Sequence, residues 1–250
     1  MYYLRKILGC IKRADQEYNL IENNDKIAVG VSGGKDSVLL LYALNCYKKM
    51  VEKEKTFEIV GVHINLGFPN MDVSILKDYF ASFNIPFEVV NTDIGKILEL
   101  NRSNNGNLPC SICSRMKKAV IIDFAIANDC NKVSFAHHGD DAIETLLMNA
   151  IYGGRISTFS PKMYLDKTKM TFIRPFVYAR ENEISKSAIK VEVPIVKSTC
   201  PNDKVTQRAE MKKMLHELYH KYPTAKDNFL LMLHNHKKLD LWTPIEKDKD

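Results

Sequence analysis

Apolar residues along most of this chain alternate between two textures: short continuous runs that suit strands buried on both faces, and longer stretches with apolar positions three and four apart that suit helices. Leu4, Ile7, Leu8, Ile11 and Tyr18 lie at helical spacing and predict an amphipathic helix over residues 3–22. The run 26–31 then predicts a buried strand and Val38–Leu44 a helix, with a Ser/Gly turn between them. The texture repeats, with strands at 58–65, 87–91 and 132–136 and helices at 73–83, 115–128 and 141–151. Such alternation predicts an α/β fold, a parallel sheet with helices on both faces. Past Gly153-Gly154 the pattern loosens to a strand at 170–173, a helix beginning near Glu181 and helices at 204–219 and 223–239, a helical C-terminal part. The polar end Glu246–Asp250 predicts a disordered tail. The expected organisation is an N-terminal helix (1–25), a main α/β domain (26–160), a C-terminal extension (161–240) and a tail (241–250), with no internal repeat and no linker rich in Gly, Pro or Ser.

A chain of 250 residues, 45% hydrophobic and 26% charged, can bury a sizeable core. No stretch approaches the ~18 apolar residues of a membrane helix, and Met1–Lys6 lacks the long apolar segment of a secretory signal, so a cytoplasmic protein is expected. In a reducing compartment, six cysteines are not a disulfide framework; clustered ones point to metal or redox chemistry. Lys and Arg outnumber Asp and Glu by 36 − 30 = 6, a modest excess that favours a polyanionic partner such as RNA.

Between the first strand and its helix stands Ser32-Gly33-Gly34-Lys35-Asp36-Ser37. Exposed backbone N–H groups and the helix dipole favour an anion there, the glycines allow close approach, and Ser32 and Ser37 add hydroxyl donors. The loop is not a Walker A motif, because Val29 occupies the position of its first glycine and Asp36 follows the lysine.

Cys110 and Cys113 stand one turn apart just ahead of a predicted helix, whose N-terminus is expected to lower their pKa. By themselves they suit a redox pair, half of a zinc site or half of an iron–sulfur site. Cys200, 200 − 113 = 87 residues later, lies in a break between regular elements, so three thiolates could fill three corners of a [4Fe–4S] cluster and leave one iron open. Tetrahedral zinc completed by a histidine is the competing arrangement. Cys10, Cys46 and Cys130 fall on or at the ends of predicted helices and read as packing residues.

The segment Ala136-His137-His138-Gly139-Asp140-Asp141, followed by Glu144 and Thr145, leaves a strand and opens a helix. Its acidic side chains are therefore expected at the same sheet edge as the phosphate loop, where they could hold Mg²⁺ or orient a nucleotide. Helix capping accounts for one of the aspartates alone.

With these pieces in order, the chain resembles the tRNA 2-thiocytidine synthetases, in the tRNA-thiolating branch of the PP-loop ATPases. The resemblance rests on Asn19–Glu22, the Ser-Gly-Gly-x-Asp-Ser loop, Pro109–Arg115, the His-His-x-Asp-Asp-x-x-Glu-Thr segment at 137–145, Gly153–Arg155, Ile173–Pro175 and Cys200. It implies splitting of ATP between its α and β phosphates, a dimer, Mg²⁺, a tRNA substrate, a sulfide donor (a cysteine desulfurase or free sulfide) and a [4Fe–4S] cluster on Cys110, Cys113 and Cys200. Nucleotide contacts are expected from Ser32, Gly33, Gly34, Lys35, Asp36, Ser37, His63, Ile64, Ala136, Asp140 and Asp141. Lys117 and Asp141 match catalytic positions of the related thiouridine enzymes, Lys117 to steady negative charge and Asp141 to orient the base or the magnesium; Lys117 also suits a solvated helix lysine. The chain departs from the thiocytidine enzymes in lacking a second cysteine just after Cys200, which bears on the target base more than on the chemistry; it also lacks the terminal zinc-finger cysteines of the 2-thiouridine enzymes, so an anticodon-loop cytidine is the expected target. The alternatives are a 2-thiouridine synthetase, an ATP-dependent amidotransferase or ligase, or a zinc-containing RNA-binding or redox-sensing protein.

Overall fold

The computed structural model describes residues 2–102, 108–201 and 207–235. The expected tail at 246–250, and the parts of the two last predicted helices before 207 and after 235, lie outside them.

The elements run α1 (Tyr2–Tyr18), β1 (Asp25–Gly30), α2 (Lys35–Met50), β2 (Phe57–Asn65), α3 (Ser74–Ser82), β3 (Phe87–Asn91), α4 (Ile94–Leu100), α5 (Cys110–Ala127), β4 (Lys132–Ser134), α6 (Gly139–Gly153), β5 (Lys162–Leu165), β6 (Met170–Ile173), α7 (Glu181–Lys190), α8 (Gln207–Lys221) and α9 (Ala225–Met232). The sheet order is β3-β2-β1-β4-β6-β5. Five strands are parallel, with Ile27 opposite both Ile59 and Lys132. The expected parallel sheet is present, and the structure adds one edge strand, β5, that runs antiparallel to β6. Four residues joined to β6 by a tight turn are too short a run to register as a strand in the apolar pattern, and the seven-residue α4 escapes notice for the same reason. Strands β5 and β6, past residue 160, continue the same sheet.

The unbroken apolar runs follow from burial on both faces. Ile27, Val29 and Ile59 point into a core closed by α1, α2, α3 and α7, including Ile7, Leu40, Phe80 and Ile184. Their neighbours Ala28, Val60 and Val62 point the other way, against Ile121, Phe124 and Ala125 of α5. Helix α1 ends four residues earlier than predicted because Asn19 turns left-handed (φ 48°), sending Leu20 and Ile21 into the core. There the Lys132 ammonium meets the Leu20 carbonyl at 3.0 Å, Glu22 at 2.8 Å and Asp25 at 2.7 Å. The Asn19–Glu22 motif is thus an anchor between α1 and the sheet, and Cys130 is a packing residue buried beside Val133.

Strand order reverses between β1 and β4. In doubly wound sheets the crevice outside the strand ends at such a reversal receives ligands.

Candidate active site

Both loops predicted to carry chemistry leave the sheet at that reversal: the phosphate loop follows β1, and the His-His-Gly-Asp-Asp segment follows β4. In the phosphate loop Gly33 takes a φ of +91°, which glycine alone adopts without strain. The Ser37 hydroxyl ties the loop, accepting the Ser32 N–H at 3.0 Å and donating to the Gly34 carbonyl at 3.0 Å. Gly34 stands at the N-cap of α2 with no side-chain cap, so the first-turn N–H groups of a 16-residue helix are left to an anion. Lys35 projects alongside them, 3.0 Å from Asp36 and 3.5 Å from Glu181.

At the start of α6, His138 and Asp141 form a reciprocal cap: the His138 N–H donates to Asp141 at 3.0 Å, and His138 Nδ1 accepts the Asp141 N–H at 3.3 Å. Asp140 accepts the Glu181 N–H at 2.7 Å and lies 3.5 Å from Arg180. Glu181 therefore joins the two motifs, with Lys35 of the phosphate loop on its side chain and Asp140 on its backbone. One turn into α6, burial and then the neighbouring Asp141 push the Glu144 carboxyl up to about 7. The His137 ring, packed on Phe135 and Phe159, is pushed down to about 4, chiefly by burial. The buried Arg174 of the Ile-Arg-Pro segment stacks over Phe159, and burial lowers its guanidinium to about 10. Gly154 ends α6 in the left-handed conformation, a structural use of the Gly-Gly-Arg motif.

His63 and Ile64 lie at the end of β2, with His63 Nδ1 2.9 Å from the Val31 carbonyl and its ring kept towards the neutral form by burial. Ile64 packs against an apolar cluster of Ile94, Leu98 and Leu108 that also receives Cys113 and Cys200. Ala136 packs against the other core immediately before His137.

Cys110 and Cys113 occupy the first turn of α5 rather than preceding it, since the helix starts five residues earlier than predicted. The expected lowering of the thiol pKa is corrected at Cys113: burial pushes it up, opposed by the exposed Lys117 one turn on and reinforced by Cys200 and Cys110. Cys113 and Cys200 are free thiols, each half-buried. Among the described residues no three His, Cys, Asp or Glu side chains are gathered to hold one metal ion. The donor set nonetheless suits a cuboidal iron–sulfur cluster, which spreads its thiolate ligands over a wider span than a single ion.

Sequence spacing did not reveal how the third cysteine reaches this region. The Val196 N–H donates to the Gly33 carbonyl at 3.0 Å, so the segment that lies over the phosphate loop arrives four residues later at Cys200, which packs against the same apolar cluster as Cys113. Glu181, Arg208 and Lys212 were also missed as site residues, because each comes to the site only through the docking of α7 or α8. No described helix is long and apolar enough to cross a membrane.

This arrangement can be set beside known proteins. The PP-loop domain matches residues 8–218. The tRNA-cytidine(32) 2-sulfurtransferase of Pelobacter propionicus is 36% identical over 92% of this chain and 86% of its own length. The chain belongs to this PP-loop family of tRNA-cytidine(32) 2-sulfurtransferases. The same enzyme of Geobacter sulfurreducens is also 36% identical, over 92% of the chain and 90% of its own length. Among solved structures, the U34-tRNA thiolase NcsA from Methanococcus maripaludis with its [4Fe-4S] cluster shares the PP-loop fold, with a TM-score of 0.73, 20% identity and coverage of 95% of this chain and 80% of that one.

Proposed function

We propose that this chain transfers sulfur to a tRNA cytidine in an ATP-dependent reaction, most simply at the anticodon-loop position named for its relatives. What supports this reading is the segment Val196–Cys200, which bonds to the phosphate loop at one end and at the other packs Cys200 against the same apolar cluster as Cys113. An activating nucleotide and a sulfur-bearing centre thereby share one crevice.

In this reading the Ser32–Ser37 loop and the open N-terminus of α2 hold the β and γ phosphates of ATP, accompanied by Mg²⁺, with Lys35 adding its charge. The oxygen on C2 of the pyrimidine attacks the α phosphorus, an O–P bond forms and pyrophosphate leaves. Sulfide then bonds to C2, the C–O bond to the adenylate breaks and AMP departs. Asp141 orients the reacting groups from the start of α6, and Lys117, exposed near the thiols, steadies the negative charge that develops. His63, Ile64, Ala136 and Asp140 complete the nucleotide's surroundings. Cys110, Cys113 and Cys200 would hold a [4Fe–4S] cluster, which would supply the iron chemistry for delivering sulfide. A homodimer in the cytoplasm, fed by a cysteine desulfurase or by free sulfide, completes the proposal.

The test is an anaerobic assay of the reconstituted protein with tRNA, ATP, Mg²⁺ and sulfide, in which nucleosides are identified by mass spectrometry. 2-Thiocytidine formed only with ATP and lost in Cys200→Ala is the expected result. Formation of AMP with no thionucleoside in any arm sinks the sulfur-transfer reading in favour of an amidotransferase or ligase.

A further inference from the structure

One side chain from outside both motifs stands over the acidic start of α6. Arg208, in the first turn of α8, places Nη1 3.1 Å from Asp141 Oδ1 and 3.4 Å from Glu144 Oε2, and donates from Nη2 to Thr145 Oγ1 at 3.2 Å. Asp141, Glu144 and Thr145 share one face of α6 at spacings of three and four, so a single planar guanidinium spans a full turn. The other oxygen of Asp141 already accepts the His138 N–H at 3.0 Å. Both carboxylate oxygens are therefore held, one by the beginning of its own helix and one by a residue 67 positions later. Arg208 is itself held in place: Met211 and Leu215 of α8 are buried, and Lys212 closes a second ion pair to Glu181 at 2.5 Å.

We propose that Arg208 is a positioning residue for the ATP-dependent step, fixing the Asp141 carboxylate and separating it from Glu144. The inference rests on the reading that the start of α6 faces the nucleotide. Without the guanidinium, two acidic side chains on successive turns of one face lose their shared cation, and Asp141 Oδ1 loses its only restraint from outside α6 among the described contacts. A carboxylate displaced by an ångström from its productive position slows a reaction that depends on alignment by on the order of 10²-fold. An ion pair whose cation is 40% exposed contributes little to folding, so a merely structural role predicts little effect on either quantity.

The experiment compares wild type, Arg208→Ala and Arg208→Lys, all as cluster-reconstituted protein with tRNA, ATP and Mg²⁺, reading AMP release. Arg208→Ala is expected to lose on the order of 10²-fold in kcat with little change in KM for ATP. Its Tm should stay within about 4 °C of wild type. Methylguanidinium in solution should restore part of the loss in Arg208→Ala, and Arg208→Lys, which keeps the charge but loses the fork, should fall between the two. Wild-type kcat in Arg208→Ala overturns the proposal, as does a loss that follows Tm downward and shows no rescue. If Arg208→Ala does not fold, wild-type kcat in a folded Arg208→Lys overturns it equally. A wild-type protein that releases no AMP brings down the nucleotide reading itself, and the proposal with it.

Discussion

Replacing Gly33 by alanine asks the phosphate loop to hold a side chain in a conformation that L residues rarely adopt. The φ of +91° lies beyond the left-handed helical well, and the added Cβ would stand 3.1 Å from Val196 Cβ and 3.5 Å from the Val196 carbonyl. Val196 cannot simply move aside, because its N–H is bonded to the Gly33 carbonyl. The backbone strain costs about 1–3 kcal/mol, and the loop relieves it by giving up part of the Val196 bond or of its own anion-binding shape. For a chain of this length that corresponds to a fall in Tm of roughly 2–12 °C. Gly34 is the internal control. Its φ of −75° is open to any residue, and a Cβ there meets nothing closer than Ser32 Oγ at 3.6 Å. Calorimetric unfolding of the two variants, paired with titration of ATP–Mg²⁺, should show Gly33→Ala losing stability and nucleotide affinity while Gly34→Ala keeps its stability. Equal stability in the two variants would refute the reasoning, since they share a loop and differ in backbone conformation.

Three further predictions concern stability. Lys132→Met strips the cation from a site where both it and Asp25 are 3% exposed, and should cost about 3–5 kcal/mol in urea unfolding; a loss below about 1 kcal/mol would show the pair to be dispensable. Gly61→Ala drives a Cβ into Leu41 and Phe87 where β2 meets α2, and should cost about 1–3 kcal/mol by overpacking; wild-type stability would mean that the core there gives way freely. Glu144 is neutral in the fold up to about pH 7 and ionises near pH 4.5 when unfolded, so its contribution is complete below the lower value and fades as pH rises through about 7. The stability of wild type relative to Glu144→Gln should therefore decline by about 3 kcal/mol from pH 4.5 to 8, and a pH-independent difference would contradict it.

The three-thiol set illustrates what docking adds to spacing. Cys110 and Cys113 are one turn apart by helical geometry alone, whereas Cys200 reaches the apolar cluster that also receives Cys113 by way of the segment after α7 that bonds to the phosphate loop at Val196. The pKa of Cys113 could not be read from its place at a helix start, because packing against Leu108 and Met116 removes the water that would solvate a thiolate. The burial of Glu144 was likewise not legible in its motif, since Arg208 of α8 reaches it from 64 positions away.

The alternation of apolar runs determined the order of strands and helices and their burial on both faces, because a parallel sheet needs continuous apolar strands and crossover helices, and both leave local patterns. The phosphate loop was equally legible, since glycines, hydroxyls and a helix start are contiguous in the chain. Tertiary structure alone decided the antiparallel edge at β5, the bridge that Glu181 makes between the two loops, and the grip of Arg208 on Asp141. The contacts of Glu181 and Arg208 join residues dozens to more than a hundred positions apart, such as Lys35 with Glu181, and no local periodicity or spacing encodes which distant surface a helix will bury.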